Sequence, residues 1–187
     1  MEIHVIRHTP INFDKNRCYG RLDVPLAVSF KKDVEKVRKK IISKFDLVYT
    51  SPSARCKELA KALQYESIIE DERLNEIDFG DWEGKLWSEI NQEKLNTWMK
   101  DFVTIRAGNG ESLKEMFQRV SSFFNELRLQ QCKKVLIITH SGVIRCTWAY
   151  LLSIPLENIF KLPVGFHEHF IFKMGQDSLL DSIVQVK

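Results

Sequence analysis

The stretch Ile3-His4-Val5-Ile6-Arg7-His8-Thr9-Pro10 decides the fold. Its apolar run has strand length, and Pro10 cannot donate to a ladder, so the strand stops there and leaves His8 at its C-terminal tip. A second stretch, Lys133 to Thr139, contains Val135-Leu136-Ile137-Ile138, whose unbroken apolar character marks a fully buried strand. His140-Ser141-Gly142 is then the turn into a helix predicted to run to about Leu152, so His140 repeats the placement of His8.

Between these strands, residues 9 to 28 carry Pro10, Asn12, Asn16, Gly20 and Pro25 without a sustained period, which predicts a long loop of the kind that usually serves function. Phe30, Val34, Val37, Ile41 and Phe45 then recur at helical steps, and Asp46 to Thr50 follows as a strand. Ser51-Pro52-Ser53 starts a helix predicted to reach about Gln64, with Arg55 in its first turn. After a short strand at Ser67 to Glu70, the Trp-rich and acidic stretch from Leu74 to Trp98 is irregular and then helical. It is predicted as an insertion, at about 74–110, over one end of the sheet. Glu111 to Leu129 forms a helix with Leu113, Met116, Phe117, Val120, Phe124 and Leu127 on its core face. His169 to Lys173 and Leu179 to Val186 suit late strands at a sheet edge.

Strands alternating with helices predict one α/β domain over 1–187, a three-layer α/β/α sandwich on a mostly parallel sheet. In such sheets the ligand crevice lies beyond the carboxyl ends of the strands, where His8, Arg55 and His140 all fall. Composition agrees: 44% apolar residues with eight Gly and five Pro describe a globular chain and exclude a disordered or fibrous one. Lys plus Arg exceed Asp plus Glu by only 28 − 25 = 3, and the run Lys31, Lys32, Lys36, Arg38, Lys39, Lys40 is spread around a helix, so a nucleic-acid partner is not expected. Cys18, Cys56, Cys132 and Cys146 are far apart with no C-x-x-C pair. They read as free thiols of a reducing compartment, without a zinc cage. Charge arrives too early at the N-terminus for a secretory segment, and no apolar run approaches the ~20 residues of a membrane span, so a cytoplasmic protein is expected.

Phosphoryl transfer needs fixed donors around three equatorial oxygens, with nucleophile and leaving group in line. Arg7, Arg55 and His140 can form such a cradle without a metal, because guanidinium forks match phosphate oxygens.

These residues resemble the histidine phosphatase superfamily, which includes the cofactor-dependent phosphoglycerate mutases. Its Arg-His-Gly signature is similar to Arg7-His8-Thr9, and the resemblance continues through Cys18 to Leu26, Thr50 to Arg55, Leu74 to Gly84, Gly110-Glu111-Ser112 and Thr139 to Gly142. It implies a phosphoglycerate mutase-like fold with no cofactor. It also implies hydrolysis of a small phosphate monoester, in which His8 attacks phosphorus and becomes phosphorylated, Arg7, Arg55 and His140 hold the oxygens, and Glu76 acts as acid and base. The chemistry agrees, since a neutral imidazole is a competent nucleophile, an alkoxide leaving group needs a positioned acid, and His140 as a cation would also stabilise the developing charge; Glu83 is a rival acid. Asn12, Tyr19, Gly20 and Ser141 join the candidate substrate-binding residues, although the family's loop Asn falls either on Asn12 or on no residue. Thr9 departs from the family's Gly by adding a Cβ near the phosphate and making positive φ less easy. His4, His167 and His169 read as structural.

The Tyr19-to-Leu26 and Asp78-to-Gly84 segments with Trp87 look most like the α-ribazole phosphatase branch, which acts late in cobalamin assembly. Arg17, Arg21, Arg73 and Arg106 are scattered along the chain, so no second cationic cluster is expected. A flat neutral base could instead meet the aromatic residues between Phe79 and Trp98, unless these pack into the core. The alternatives are a sugar phosphate or fructose-bisphosphate phosphatase, a mutase of the same superfamily, or a binding module that has lost turnover.

Overall fold

The first strand, β1 (Glu2–Arg7), stops short of Pro10. It is followed by α1 (Phe30–Lys40), β2 (Leu47–Thr50), α2 (Ala54–Ala62) and a short β3 (Ile69–Glu70). Turns of 3₁₀ helix at Glu72–Leu74, Gly80–Trp82 and Ala107–Asn109 surround α3 (Gln92–Lys100). Then come α4 (Leu113–Arg128), β4 (Lys134–Thr139), α5 (Ser141–Leu152), β5 (His169–Lys173) and β6 (Ser182–Val186). This computed structural model describes residues 1–186, so Lys187, the last residue of the expected domain, lies outside the described residues.

The strands form one sheet in the order β3-β2-β4-β1-β5-β6. Every pairing among β1 to β4 is parallel, which gives the mostly parallel sheet the sequence predicts, and the late strands β5 and β6 add at one side in antiparallel sense. Side chains alternate across the sheet. Ile3, Val5, Val135 and Ile137 pack with α4 and α5, whereas Ile6, Leu136 and Ile138 pack with α1 and α2. The outcome is the expected α/β/α layering. Among the described residues no helix is long and apolar enough to cross a membrane.

Local departures have local causes. α1 ends at Lys40, short of Phe45, because Ile41 leaves helical geometry at φ −104° and ψ 83°; Phe45 still packs on the same core from the following loop. α2 ends at Ala62, and Gln64, the expected last residue, takes a left-handed φ of 64°. Lys31, Lys32, Lys36, Arg38 and Lys39 are exposed on α1, so the basic run is a solvated helix face. β6 begins at Ser182 because Ser178–Leu180 form a 3₁₀ turn. α4 starts after Ser112, whose hydroxyl accepts from the Glu115 N–H while the Glu115 carboxylate accepts from the Ser112 N–H.

The register of β1 on β4 sets the site. Arg7 lies opposite Thr139, so the next residues, His8 and His140, leave neighbouring strand tips together. The His8 N–H continues the ladder by donating to the Thr139 carbonyl at 2.9 Å.

Ser112→Ala removes one half of the reciprocal cap on α4 and is expected to lower the unfolding free energy by about 1 kcal/mol. Urea denaturation checks this; an unchanged midpoint would show that the cap contributes nothing.

Candidate active site

His8 is 1% exposed, and its Nδ1 lies 2.8 Å from the Thr9 carbonyl. A carbonyl can only accept, so Nδ1 carries the proton and Nε2 keeps its lone pair. Burial, followed by the charges of Arg55 and Arg7, holds the ring's pKa well below the ordinary 6.5. At neutral pH His8 is therefore an uncharged imidazole with a lone pair on Nε2, which is the form of a nucleophile.

His140 caps α5, and its ring centroid is 5.2 Å from that of His8. Its Nδ1 accepts from Arg55 Nε at 3.3 Å, and since guanidinium has no lone pair to offer, Nδ1 is unprotonated. The proton sits on Nε2, 2.8 Å from Ser51 Oγ and 3.1 Å from Ser53 Oγ. Ser51 in turn donates to Asn75 Oδ1 at 2.9 Å, which leaves its oxygen able to accept. Burial, with Arg55 next, pushes the His140 pKa well below 6.5. The expectation of a cationic His140 is therefore corrected for the free protein, because two guanidinium groups and full burial both oppose a further positive charge.

Arg55, 1% exposed in the first turn of α2, donates Nη1 to the Leu22 carbonyl at 2.9 Å and Nη2 to the Gly20 carbonyl at 2.5 Å. Gly20 fits there because a Cβ would collide with the Ile77 carbonyl. Arg7 donates Nη1 to the Val164 carbonyl at 3.1 Å and lies 3.9 Å from the Phe166 ring centroid. Arg7 Nε and Thr9 Oγ1 are buried with no hydrogen-bond partner among the described residues. Thr9 is not among the residues of positive φ, so its Cβ imposes no backbone strain.

The two candidate acids differ sharply in placement. Glu76 Oε2 accepts from the Gly142 N–H at 3.1 Å and from Ser141 Oγ at 3.3 Å, which seats its carboxylate on the N-terminal turn of α5. A Cβ at Gly142 would strike that carboxylate. Glu83 instead accepts from the backbone N–H groups of Gly20, Arg21, Leu22 and Phe79 at 2.8 to 3.2 Å. It fastens the loop whose carbonyls hold Arg55.

A cavity of about 350 Å³ opens beside Glu76, Ser141 and Gly142. Tyr19, Phe79, Trp87, Trp98 and Phe160 supply aromatic lining, while Trp82 belongs to a buried cluster with Cys18, Ile90, Leu95 and Ala107. The aromatic residues of the insertion thus divide between wall and core. Lys15, Arg17 and Arg145 line the same cavity, so of the arginines scattered along the sequence Arg17 reaches it, already tied to Asp14 and the Gly84 carbonyl. Arg145 had a signal in the sequence, since it follows Ser141 by four residues and so shares its helix face. A larger groove of about 570 Å³, on Trp82, Lys85, Asn91 and Lys94, contains none of the candidate residues.

Asn12 is exposed and is tied to the Pro25 carbonyl through its own N–H, and no hydrogen bond links its side chain to His8, Arg7, Arg55 or His140. His4 bonds Glu2 and His169, and His167 pairs with Asp33 at 2.9 Å. The cysteines are free, and among the described residues no three His, Cys, Asp or Glu side chains gather to hold a metal.

The sequence matches the model of the histidine phosphatase superfamily (branch 1) over residues 3–179. The chain belongs to the histidine phosphatase superfamily. Membership makes it a phosphoric monoester hydrolase. Phosphoserine phosphatase 1 of Hydrogenobacter thermophilus is 26% identical over 171 residues, covering 86% of this chain and 81% of that protein. The adenosylcobalamin/alpha-ribazole phosphatase of Escherichia coli is 26% identical over 173 residues, covering 88% and 85%. In structure the chain is similar to the alpha-ribazole phosphatase from Shigella flexneri, with a TM-score of 0.88 and 24% identity over 98% of this chain and 95% of that one.

Two predictions follow from this geometry. Histidine resonances followed by NMR should show His8 and His140 still neutral as pH falls through 6.5; a midpoint at 6.5 for either would contradict the burial account. Both folded-state pKa values are depressed, so below 6.5 the unfolded chain takes up protons that the folded one refuses, and acid destabilises the fold from there downward. Separately, Glu76→Gln should lower kcat on alkyl phosphates about 10²-fold or more while sparing p-nitrophenyl phosphate, whose leaving group departs unprotonated. Glu83→Gln should affect both substrates alike; the reverse pattern would exchange the two roles.

Proposed function

We propose that this chain hydrolyses small phosphate monoesters without a metal, through a phosphohistidine on His8. The observation that carries the reading is the tautomer of His8, neutral and with a free Nε2 lone pair between two guanidinium groups. Nε2 attacks phosphorus, the bond to the leaving oxygen breaks, and that oxygen takes a proton from Glu76. Water then attacks phosphorus and gives a proton to Glu76, the P–N bond breaks, and inorganic phosphate departs. Arg7, through its unpartnered Nε, and Arg55, through the N–H groups its loop carbonyls leave over, hold the equatorial oxygens. His140 holds Arg55 and keeps its own proton directed at Ser51. Because His8, Arg55 and His140 are buried, these donors act at lowered dielectric, where they stabilise developing charge most strongly.

The finer reading from the sequence is α-ribazole 5′-phosphate, used in cobalamin assembly in a reducing cytoplasm. Support comes from the aromatic lining of the cavity and from the similarity to the Escherichia coli phosphatase. A second reading, an acidic monoester such as phosphoserine, is favoured by Arg145, Lys15 and Arg17 on the same cavity and by the similarity to the Hydrogenobacter enzyme.

A phosphate-release assay across α-ribazole 5′-phosphate, phosphoserine, 3-phosphoglycerate and fructose 2,6-bisphosphate, with EDTA present, tests the reading. Turnover undiminished by EDTA and abolished in folded His8→Ala is expected. Complete loss in EDTA that Mg²⁺ or Zn²⁺ restores would overturn the metal-independent mechanism.

A further inference from the structure

Among the described residues every arginine except Arg7, Arg55 and Arg145 is ion-paired with Asp or Glu. A guanidinium drawn partly out of water without a counter-ion is costly, so a protein that keeps one uses it on an external anion. Arg7 and Arg55 flank His8 and belong to the phosphate cradle. Arg145 lies on α5 beside Glu76, near enough to Arg7 to feel its charge.

Its position follows from the helix. Arg145 is one turn beyond Ser141, on the same face, and Ser141 touches the Glu76 carboxylate. Arg145 Nε donates to the Leu162 carbonyl at 3.2 Å, its guanidinium carbon lies 5.6 Å from the Phe160 ring centroid, and no hydrogen bond among the described residues occupies its Nη groups. Burial lowers its pKa, with the charge of Glu76 opposing that shift. The cavity thus offers the cations Arg145 and Lys15, while Glu76 is the one carboxylate among its described lining residues. Arg17 is already engaged by Asp14 and the Gly84 carbonyl.

We propose that Arg145 anchors a carboxylate on the leaving group, which selects the acidic monoester over α-ribazole 5′-phosphate and makes the substrate a phosphate monoester of a small hydroxy acid. The inference rests on the phosphomonoesterase reading, in which Glu76 serves the leaving oxygen; Arg145, which lines the same cavity as Glu76, then lies on the leaving-group side of the reaction. One planar fork takes one carboxylate side-on, whereas a second phosphoryl dianion would call for a cluster of such forks.

O-Phosphoserine and O-phosphoethanolamine differ only in the carboxylate, which makes their ratio of kcat/KM the direct readout. The wild-type protein should favour phosphoserine by about tenfold or more, the scale of a desolvated charge pair. Arg145→Gln should bring the ratio near one. Arg145→Lys, which keeps charge and loses the fork, should fall between. Because both rates come from one preparation, partial unfolding cancels from the ratio. A wild-type ratio near one, or a ratio that survives in Arg145→Gln, would overturn the anchor while p-nitrophenyl phosphate hydrolysis still upholds the phosphatase reading. Failure of the wild-type protein to hydrolyse any of the three compounds would remove that reading, and the anchor with it.

Discussion

The parallel register that sets Arg7 opposite Thr139 is the constraint on which the site depends. It delivers His8 and His140 from adjacent strand tips into a volume that Arg7 and Arg55 also enter, with ring centroids 5.2 Å apart. Two permanent charges and two imidazoles can share a buried space only if the imidazoles stay neutral, and their hydrogen bonds agree. Thr9 requires a proton on His8 Nδ1, and Arg55 requires a lone pair on His140 Nδ1. The neutral state that leaves His8 a lone pair on Nε2 is therefore the one that lets the fold close around it. A shift of β1 by one residue would turn Ile3, Val5 and Ile6 to the wrong faces as well as separate the two histidines.

Two carboxylates of the insertion show how environment divides labour between like residues. Glu83 is saturated by four backbone N–H groups, and its work is to shape the Gly20–Leu22 loop that grips Arg55. Glu76 rests on the first turn of α5, at the mouth of the cavity and within reach of Ser141. Gly142 makes that seat possible by leaving room for the carboxylate. Behind Glu76, Arg119 bridges Glu111 and the carbonyls of Arg73, Asn75 and Glu76, which ties the Glu76 backbone to α4.

Much of this was legible in the chain. Apolar runs ended by Pro10 and by His140-Ser141-Gly142 located both strand tips, and helical periods located α1, α4 and α5, because burial on one face writes its period directly into sequence. What was hidden depended on contacts distant along the chain. Nothing near Glu83 announces that its partners lie some sixty residues earlier, and Lys15 and Arg145 meet on one cavity only after folding. The charge of His140 was misjudged for the same reason, since burial and Arg55 act through space. Helix ends such as Lys40 also escaped, because Phe45 continues the apolar period from a loop.

The central claim is that His8 Nε2 takes the phosphoryl group. Acid-sensitive, alkali-stable phosphate trapped by rapid quench during turnover, and mapped by mass spectrometry under neutral conditions, tests it most directly. The account predicts a single phosphopeptide carrying the group on His8, absent from His8→Ala. Phosphate found on His140 or another side chain, or steady turnover by His8→Ala at the wild-type rate, would contradict it.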